Sequence, residues 1–372
     1  MKKMTHMRCN PKLLLLLSAL ILGQGLRAQE YTDTRNVRRV FAANLETTVE
    51  VENKYGKIQV VTWDKDSVAI EVTLRLSESS SSKLRKLKED VSIDFSSTSN
   101  YILAKTVIES ESGLIARELR NVTSTLTGSN KRMEINYTVR VPSILDVALN
   151  NKFGDIYLDD MDGQVDINLS NGMLKAGRLK GNSSIVLSFA DGMIKSLGSC
   201  TMELSYSDLV MEEVSQLDLD SKSSELNVDS VNVVKINSRR DKLNFKRAEY
   251  LYGNGNFTQV RVYDFLKESD LYMKYGELTI EHVMPRFSKI YVESDYTDVS
   301  LYLDPESVFV FDILHHEKTI LRLPDQAVVE EDTFDGKEHF QTSGYVGEVD
   351  QESAGVVNID ALQKSYINIS VK

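Results

Sequence analysis

The sequence predicts an all-β protein, a β-solenoid of short two-strand coils with one short helix in its N-terminal flank. Three observations predict it. A turn string recurs as Asn53-Lys54-Tyr55-Gly56-Lys57-Ile58, Asn151-Lys152-Phe153-Gly154-Asp155-Ile156 and Met273-Lys274-Tyr275-Gly276-Glu277-Leu278. Before each turn stand two mostly apolar residues spaced by two, the mark of a strand with one buried face. Beyond the turn the apolar signal resumes after five or seven residues, nine times over.

Residues 1–28 are expected to be a secretory signal. They combine a basic start, an apolar core from Leu13 to Leu22 too short to span a bilayer, and small Ala28 before a cleavage point at Gln29. Cys9 precedes that core, so it does not sit where a lipoprotein cysteine would. No later stretch is apolar enough to cross a membrane as a helix.

Residues 29–142 are expected to form a β-rich N-terminal flank. Strands are predicted around Val49/Val51, Ile58/Val60 and Val68 to Leu74. After the serine run Ser77–Ser82, Leu84, Leu87 and Val91 fall at i, i+3 and i+7, which predicts a helix with a serine N-cap. Strands return around Val107 and from Met133 to Val141, ending at Pro142.

Residues 143–304 carry the repeat. Its apolar pairs run from Val147/Leu149 to Ile290/Val292, and the resumption points from Ile156 to Val299. One unit every 15 to 20 residues fits a coil, although a sandwich has similar strand spacing. The turn glycine suits positive φ, and its loss between Met202 and Ile236 leaves the corner geometry there open. A coil cannot bury its apolar face alone, so coils must stack, and the open ends of a stack need caps. Residues 305–372 break the repeat and read as a C-terminal β cap, with an acidic loop near Glu330-Glu331-Asp332 and a last strand from Tyr366 to Val371.

Charge narrows the partners. The chain carries 44 basic and 55 acidic side chains. Without the first 28 residues, which hold five bases and no acid, the remaining 39 bases and 55 acids leave a net charge near −16. Such a polyanion repels nucleic acid and anionic lipid. Beyond residue 28 Cys200 is the one cysteine, so no internal disulfide is expected there.

No catalytic constellation or cofactor motif is legible. His315-His316-Glu317 invites a metal reading, but neighbours on a strand point to opposite faces. Asp159-Asp160-Met161-Asp162-Gly163 hints at calcium, yet the EF-hand positions that need acids hold Leu158 and Leu169. Arg239-Arg240 is one basic spot among acidic neighbours, thin support for a polysaccharide lyase, which needs a base and cations for uronate carboxylates. No metal or catalytic residue is therefore assigned.

The chain resembles the putative-adhesin domain family of Bacteroidota envelope proteins, related to the head domains called GIN. The residues that carry the resemblance are Tyr137-Thr138-Val139-Arg140-Val141-Pro142, Val147 to Ile156 with Asn151 and Gly154, Gly163 to Leu174, and the strand–helix–strand pattern of residues 66–109. The resemblance implies export and a right-handed β-solenoid. It implies no catalytic residues.

One outward position per coil suggests a surface. From the second coil that column reads Asp166, Val186, Glu203, Asp218, Lys235, Tyr252, Tyr272 and Tyr291. Tyr252, Tyr272 and Tyr291 are the candidate binding residues, expected to stack as a ladder about 5 Å apart. The expected function is an exported, non-enzymatic, adhesin-like solenoid of the periplasm, outer membrane or exterior, with a glycan or envelope protein as partner. A carbohydrate-active enzyme and a structural or regulatory envelope component are the alternatives.

Overall fold

A computed structural model describes residues 30–109, 132–348 and 354–372. The expected signal at 1–28 lies outside them. No helix among the described residues is long and apolar enough to cross a membrane. The chain divides into two compact units.

The smaller unit contains residues 74–92 and holds the one helix among the described residues, Ser81–Asp90. Ser80 caps it, its Oγ accepting from the Lys83 N–H at 3.3 Å. Leu87 is its buried residue, and Val91 turns extended to end it. Lys88 on the basic face is held by Asp33 at 2.9 Å.

The larger unit is the β-solenoid, with about nine consecutive turns. Coils pair in parallel and in register. One inward row runs Leu149, Ile167, Ile185, Met202, Leu219, Ile236, Gly253, Leu271 and Val292. The first inward row beyond the corner runs Ile156, Leu174, Gly192, Leu209, Leu226, Leu243, Val260, Leu278 and Val299. These rows form one dry core along the stack.

The two gap lengths in the sequence hide a corner of constant length. Every coil has a third inward position before its corner, occupied in order by Asn151, Leu169, Leu187, Leu204, Ser221, Ser238, Gly255, Met273 and Ser294. From there to the next inward row is always five residues. A gap of seven arises where an inward position beside the corner drops out of the apolar pattern, as the third residue does at Ser221 and Ser238 and the row beyond the corner does at Gly192, or where the apolar pair is taken one inward position early, as at Val165/Ile167 with Leu169 still to come.

Both ends of the stack are completed by chain that arrives out of order. At the N-terminal end strands Thr48–Lys54 and Ile58–Thr62 form a coil of their own. It lies between Asp146–Leu158 on one side and Ile102/Ala104 with Tyr137/Val139 on the other. At the C-terminal end strands Gly355–Ala361 and Tyr366–Val371 add in parallel to Lys289–Leu303. Strand Phe309–His316, earlier in sequence, lies outside them. The region of Glu330-Glu331-Asp332 is not a loop. It belongs to strand Val328–Phe334, antiparallel to His339–Val346. All seven of its residues are exposed, so neither face imposes the alternation by which strands are recognised, and its acids protect an open edge.

Candidate functional site

The corner is where the solenoid is unusual. The left-handed residue at each is Tyr55, Phe153, Asn171, Phe189, Tyr206, Ser223, Arg240, Phe257, Tyr275 and Tyr296, with φ between 51° and 68°. The glycine of the turn string is not the left-handed residue; the aromatic before it is. Glycine is needed for a different reason. A Cβ on Gly154 would lie 1.9 Å from the Gly56 carbonyl oxygen, and one on Gly172 2.0 Å from that of Gly154. Backbone-to-backbone approach between coils, not φ, excludes a side chain.

Where glycine is missing the corner keeps its shape. Ala190, Ser207, Ser224, Asp241, Thr258 and Thr297 follow the left-handed residue instead. Several of these side chains satisfy the backbone of the preceding coil. The Ala190 N–H donates to Ser207 Oγ at 3.2 Å, the Ser207 N–H to Ser224 Oγ at 3.2 Å, and the Ser224 N–H to Asp241 Oδ1 at 2.7 Å. Asp241, 2% exposed, also accepts from Ser221 Oγ at 2.7 Å, Ser238 Oγ at 2.6 Å and the Arg239 N–H at 2.9 Å.

A non-glycine residue held left-handed costs about 1–2 kcal/mol, and a bulky one is an outlier. Asparagine and glycine bear that conformation most easily, yet seven of the ten corners carry Tyr or Phe. Their rings point into solvent: Phe189 is 61% exposed, Phe257 50% and Tyr206 49%. Register brings them into stacks. Tyr55 and Phe153 have centroids 5.5 Å apart, Phe189 and Tyr206 4.9 Å, Phe257 and Tyr275 5.0 Å, and Tyr275 and Tyr296 5.1 Å. The interplanar angles are 17° or less. Lysines of the residue before the corner or of the next coil lie over the rings, as Lys274 does over Tyr275 at 5.5 Å and Lys222 over Tyr206 at 5.9 Å. On the other flank carboxylates align, Asp191 beside Asp208 beside Glu225.

The tyrosines predicted from the sequence do not form a three-ring ladder. Tyr252 pairs in register with Asp270, and Asp270 with Tyr291. Tyr272 lies one outward row away, beside Asn254 and Glu293. The apolar pair Leu271/Met273 suggested a register two residues off, because the true first inward position holds Ser269. A slip of two keeps every side chain on its face, so alternation cannot detect it. Two of their hydroxyls are engaged: Tyr291 donates to Asp360 at 2.8 Å, a bond that leads in pushing its pKa to about 12, and Tyr272 to Asp295 at 3.4 Å. The tyrosines at 55, 206, 275 and 296 were missed as a column, although the recurrent Lys-Tyr-Gly and Lys-Phe-Gly strings contained the signal.

The other candidates are tied into the stack. Asp160 binds the Arg178 guanidinium at 2.9 Å, and Asp162 binds Lys180 and Ser143, both at 2.7 Å. Both carboxyls are held below their ordinary range, Asp160 first by the Arg178 backbone N–H at 2.8 Å and then by its guanidinium, Asp162 first by Lys180 and then by Ser143. His315 is buried with Nε2 facing Thr342 Oγ1 at 3.3 Å, while His316 Nδ1 accepts from the Lys318 N–H at 2.9 Å. Arg240 is a left-handed corner and Arg239 its neighbour. His282 bridges Asp264 and Asp304 at 3.1 Å each, and bonds to Asp304 first and Asp264 second raise its pKa. A shallow groove of about 830 Å³ lies beside the early corners, lined among others by Tyr157, Lys175, Gly177, Met193 and Lys195.

No family model and no curated protein matches the chain. Solved structures to which it is similar include a "putative cell adhesion protein" from Clostridium sporogenes, 11% identical over 91% of this chain and 100% of that one, at a TM-score of 0.18. A "putative lipid binding protein" from Parabacteroides distasonis is 11% identical over 73% of this chain and 93% of that one, at 0.29. A "putative adhesin" from the same organism is 12% identical over 73% and 94%, at 0.28. At such TM-scores these likenesses lend nothing to the assignment of a site.

Proposed function

We propose that this chain is a non-enzymatic, adhesin-like protein of the cell envelope that presents the long edge of its solenoid to a glycan or protein partner. The observation that carries this is the column of exposed, stacked rings on left-handed corners. Strain of this kind is retained where the strained residue serves a purpose. Tyr and Phe offer large rigid contact area at small entropic cost, which is what a binding edge needs. The basic, signal-like character of residues 1–28 supports export.

The face of Tyr252, Tyr272 and Tyr291 is the competing location for the contact. The test compares two triple variants of the chain lacking its signal. One changes Phe257, Tyr275 and Tyr296 to serine, the other Tyr252, Tyr272 and Tyr291. Both are applied to a glycan array and to immobilised envelope extract. Loss of wild-type binding by the first variant with retention by the second supports the corner column. The reverse result moves the site to the other face. Turnover of an array glycan by the wild type overturns the non-enzymatic proposal.

A further inference from the structure

The corner column is interrupted once by a single rung. Phe153 and Phe189 stand two coils apart with Asn171 between them. Phe153 has one face covered by Tyr55 at 5.5 Å and Phe189 one face covered by Tyr206 at 4.9 Å. The stacked partners lie on the far sides, so the uncovered faces of both rings look toward the Asn171 coil. Two coil rises make a separation of roughly 9–10 Å, the thickness of one inserted ring with van der Waals contact on both sides. Asn171 leaves that space open, its short exposed side chain forming the floor.

The rim is mostly polar. Lys152, Ser170 and Ser188 precede the three corners; two residues past the outer corners stand Asp155 and Asp191, and past the middle one Met173, in register with Asp191, adds an exposed apolar side chain. Apolar walls with a polar edge match a pyranose, whose faces are C–H surfaces and whose perimeter is hydroxyls. An aromatic side chain would leave that rim unused. The 830 Å³ groove continues from the same three coils, since Tyr157, Lys175 and Met193 each lie four residues beyond Phe153, Asn171 and Phe189 and pair in register. A chain of sugars anchored between the rings has a bed to lie in.

We infer that the gap at Asn171 is a glycan-binding slot that holds one pyranose ring between Phe153 and Phe189. This rests on the corner column being the binding edge and adds the ligand class and the place.

The decisive variant fills the slot. Asn171→Tyr supplies the missing ring, which stacks on both neighbours, so the melting temperature is expected to stay level or rise while sugar binding is lost. Asn171→Gly keeps the left-handed corner and the open slot. Cellohexaose, laminarihexaose and mannohexaose serve as probes, read by calorimetry and by the shift of the Asn171 side-chain amide in NMR spectra. At least one hexaose is expected to shift that amide in the wild type. Asn171→Tyr should then weaken binding at least about tenfold, and Asn171→Gly by less than about threefold. Equal binding by Asn171→Tyr and wild type overturns the slot. If the triple variant at Phe257, Tyr275 and Tyr296 still abolishes binding in that case, the column survives as the binding edge. Binding of N-acetylphenylalanine amide in the slot with none of the hexaoses also overturns the pyranose assignment, as does silence to all four probes.

Discussion

Replacing Asp241 by alanine is expected to destabilise the solenoid by about 3 kcal/mol, and the figure follows from who loses a partner. The carboxylate accepts from two serine hydroxyls and two backbone N–H groups, inside a corner that water does not reach. Ser238 keeps a second bond, to Thr258 Oγ1 at 2.9 Å. The Ser224 N–H and the Ser221 hydroxyl keep no other hydrogen bond in the corner, and the Arg239 N–H is half-buried. An unsatisfied buried donor costs about 1–3 kcal/mol. Three losses are partly offset by removing a charge from a dry site. Serine at this position would accept from the Ser224 N–H, as Ser224 does from Ser207 one coil earlier, but would not reach the other donors. Asparagine offers one acceptor oxygen and a competing NH₂ group. The expected order of damage is alanine greatest, with asparagine and serine between it and wild type. Urea unfolding followed by circular dichroism gives the ranking, and amide exchange at Ser224 and Arg239 locates it. An alanine variant within about 1 kcal/mol of wild type, with exchange unchanged at both amides, would refute the idea that the carboxylate anchors the corner.

Further outcomes follow from single groups. Gly154→Ala forces a Cβ to within 1.9 Å of the Gly56 carbonyl oxygen and is expected to cost about 1–3 kcal/mol, seen as a lower melting temperature; an unchanged one would show that the coils separate freely. His282 has a raised pKa in the folded chain, so its contribution is complete below the ordinary histidine value near 6.5 and fades as pH rises through the higher folded value. His282→Gln should flatten the stability profile in that window, and an NMR titration midpoint at or below 6.5 would contradict the bridge to Asp264 and Asp304. Burial pushes the Cys200 thiol up to about 12, so thiol reagents at pH 8 should modify it only in urea; rapid labelling of the folded chain would place it at the surface.

How much was legible in the sequence depended on which faces are buried. Rows with a dry inner face announced themselves through alternation, so Val147, Leu149 and Ile156 marked their strands, and Ser80 with Leu87 marked the helix. Val328–Phe334 was missed because it buries neither face. The out-of-order coils at the two ends were not visible as coils, because their partners lie far away in sequence: Val49 pairs with both Val147 and Ile102, and Ile290 with Val357. A period measured along the chain cannot report an insertion into the stack from elsewhere.

The tyrosine column failed for a reason that also explains the aromatic corner. Outward residues carry no apolar alternation, so their alignment is inherited from the inward rows, and Ser269 and Gly253 gave those rows too little signal to hold the register. Corners need no such inheritance, because each is marked by its own backbone. Ser223 and Arg240 adopt the same left-handed geometry as their neighbours, with φ of 52° and 62°, so the turn itself does not require a ring. Stacking accounts for part of the remainder at about 0.5–1.5 kcal/mol per pair, about what the left-handed backbone costs at each corner. Fold stability is therefore close to indifferent between a ring and an asparagine at these positions. What a ring adds, and asparagine does not, is exposed apolar surface repeated along one edge of the stack.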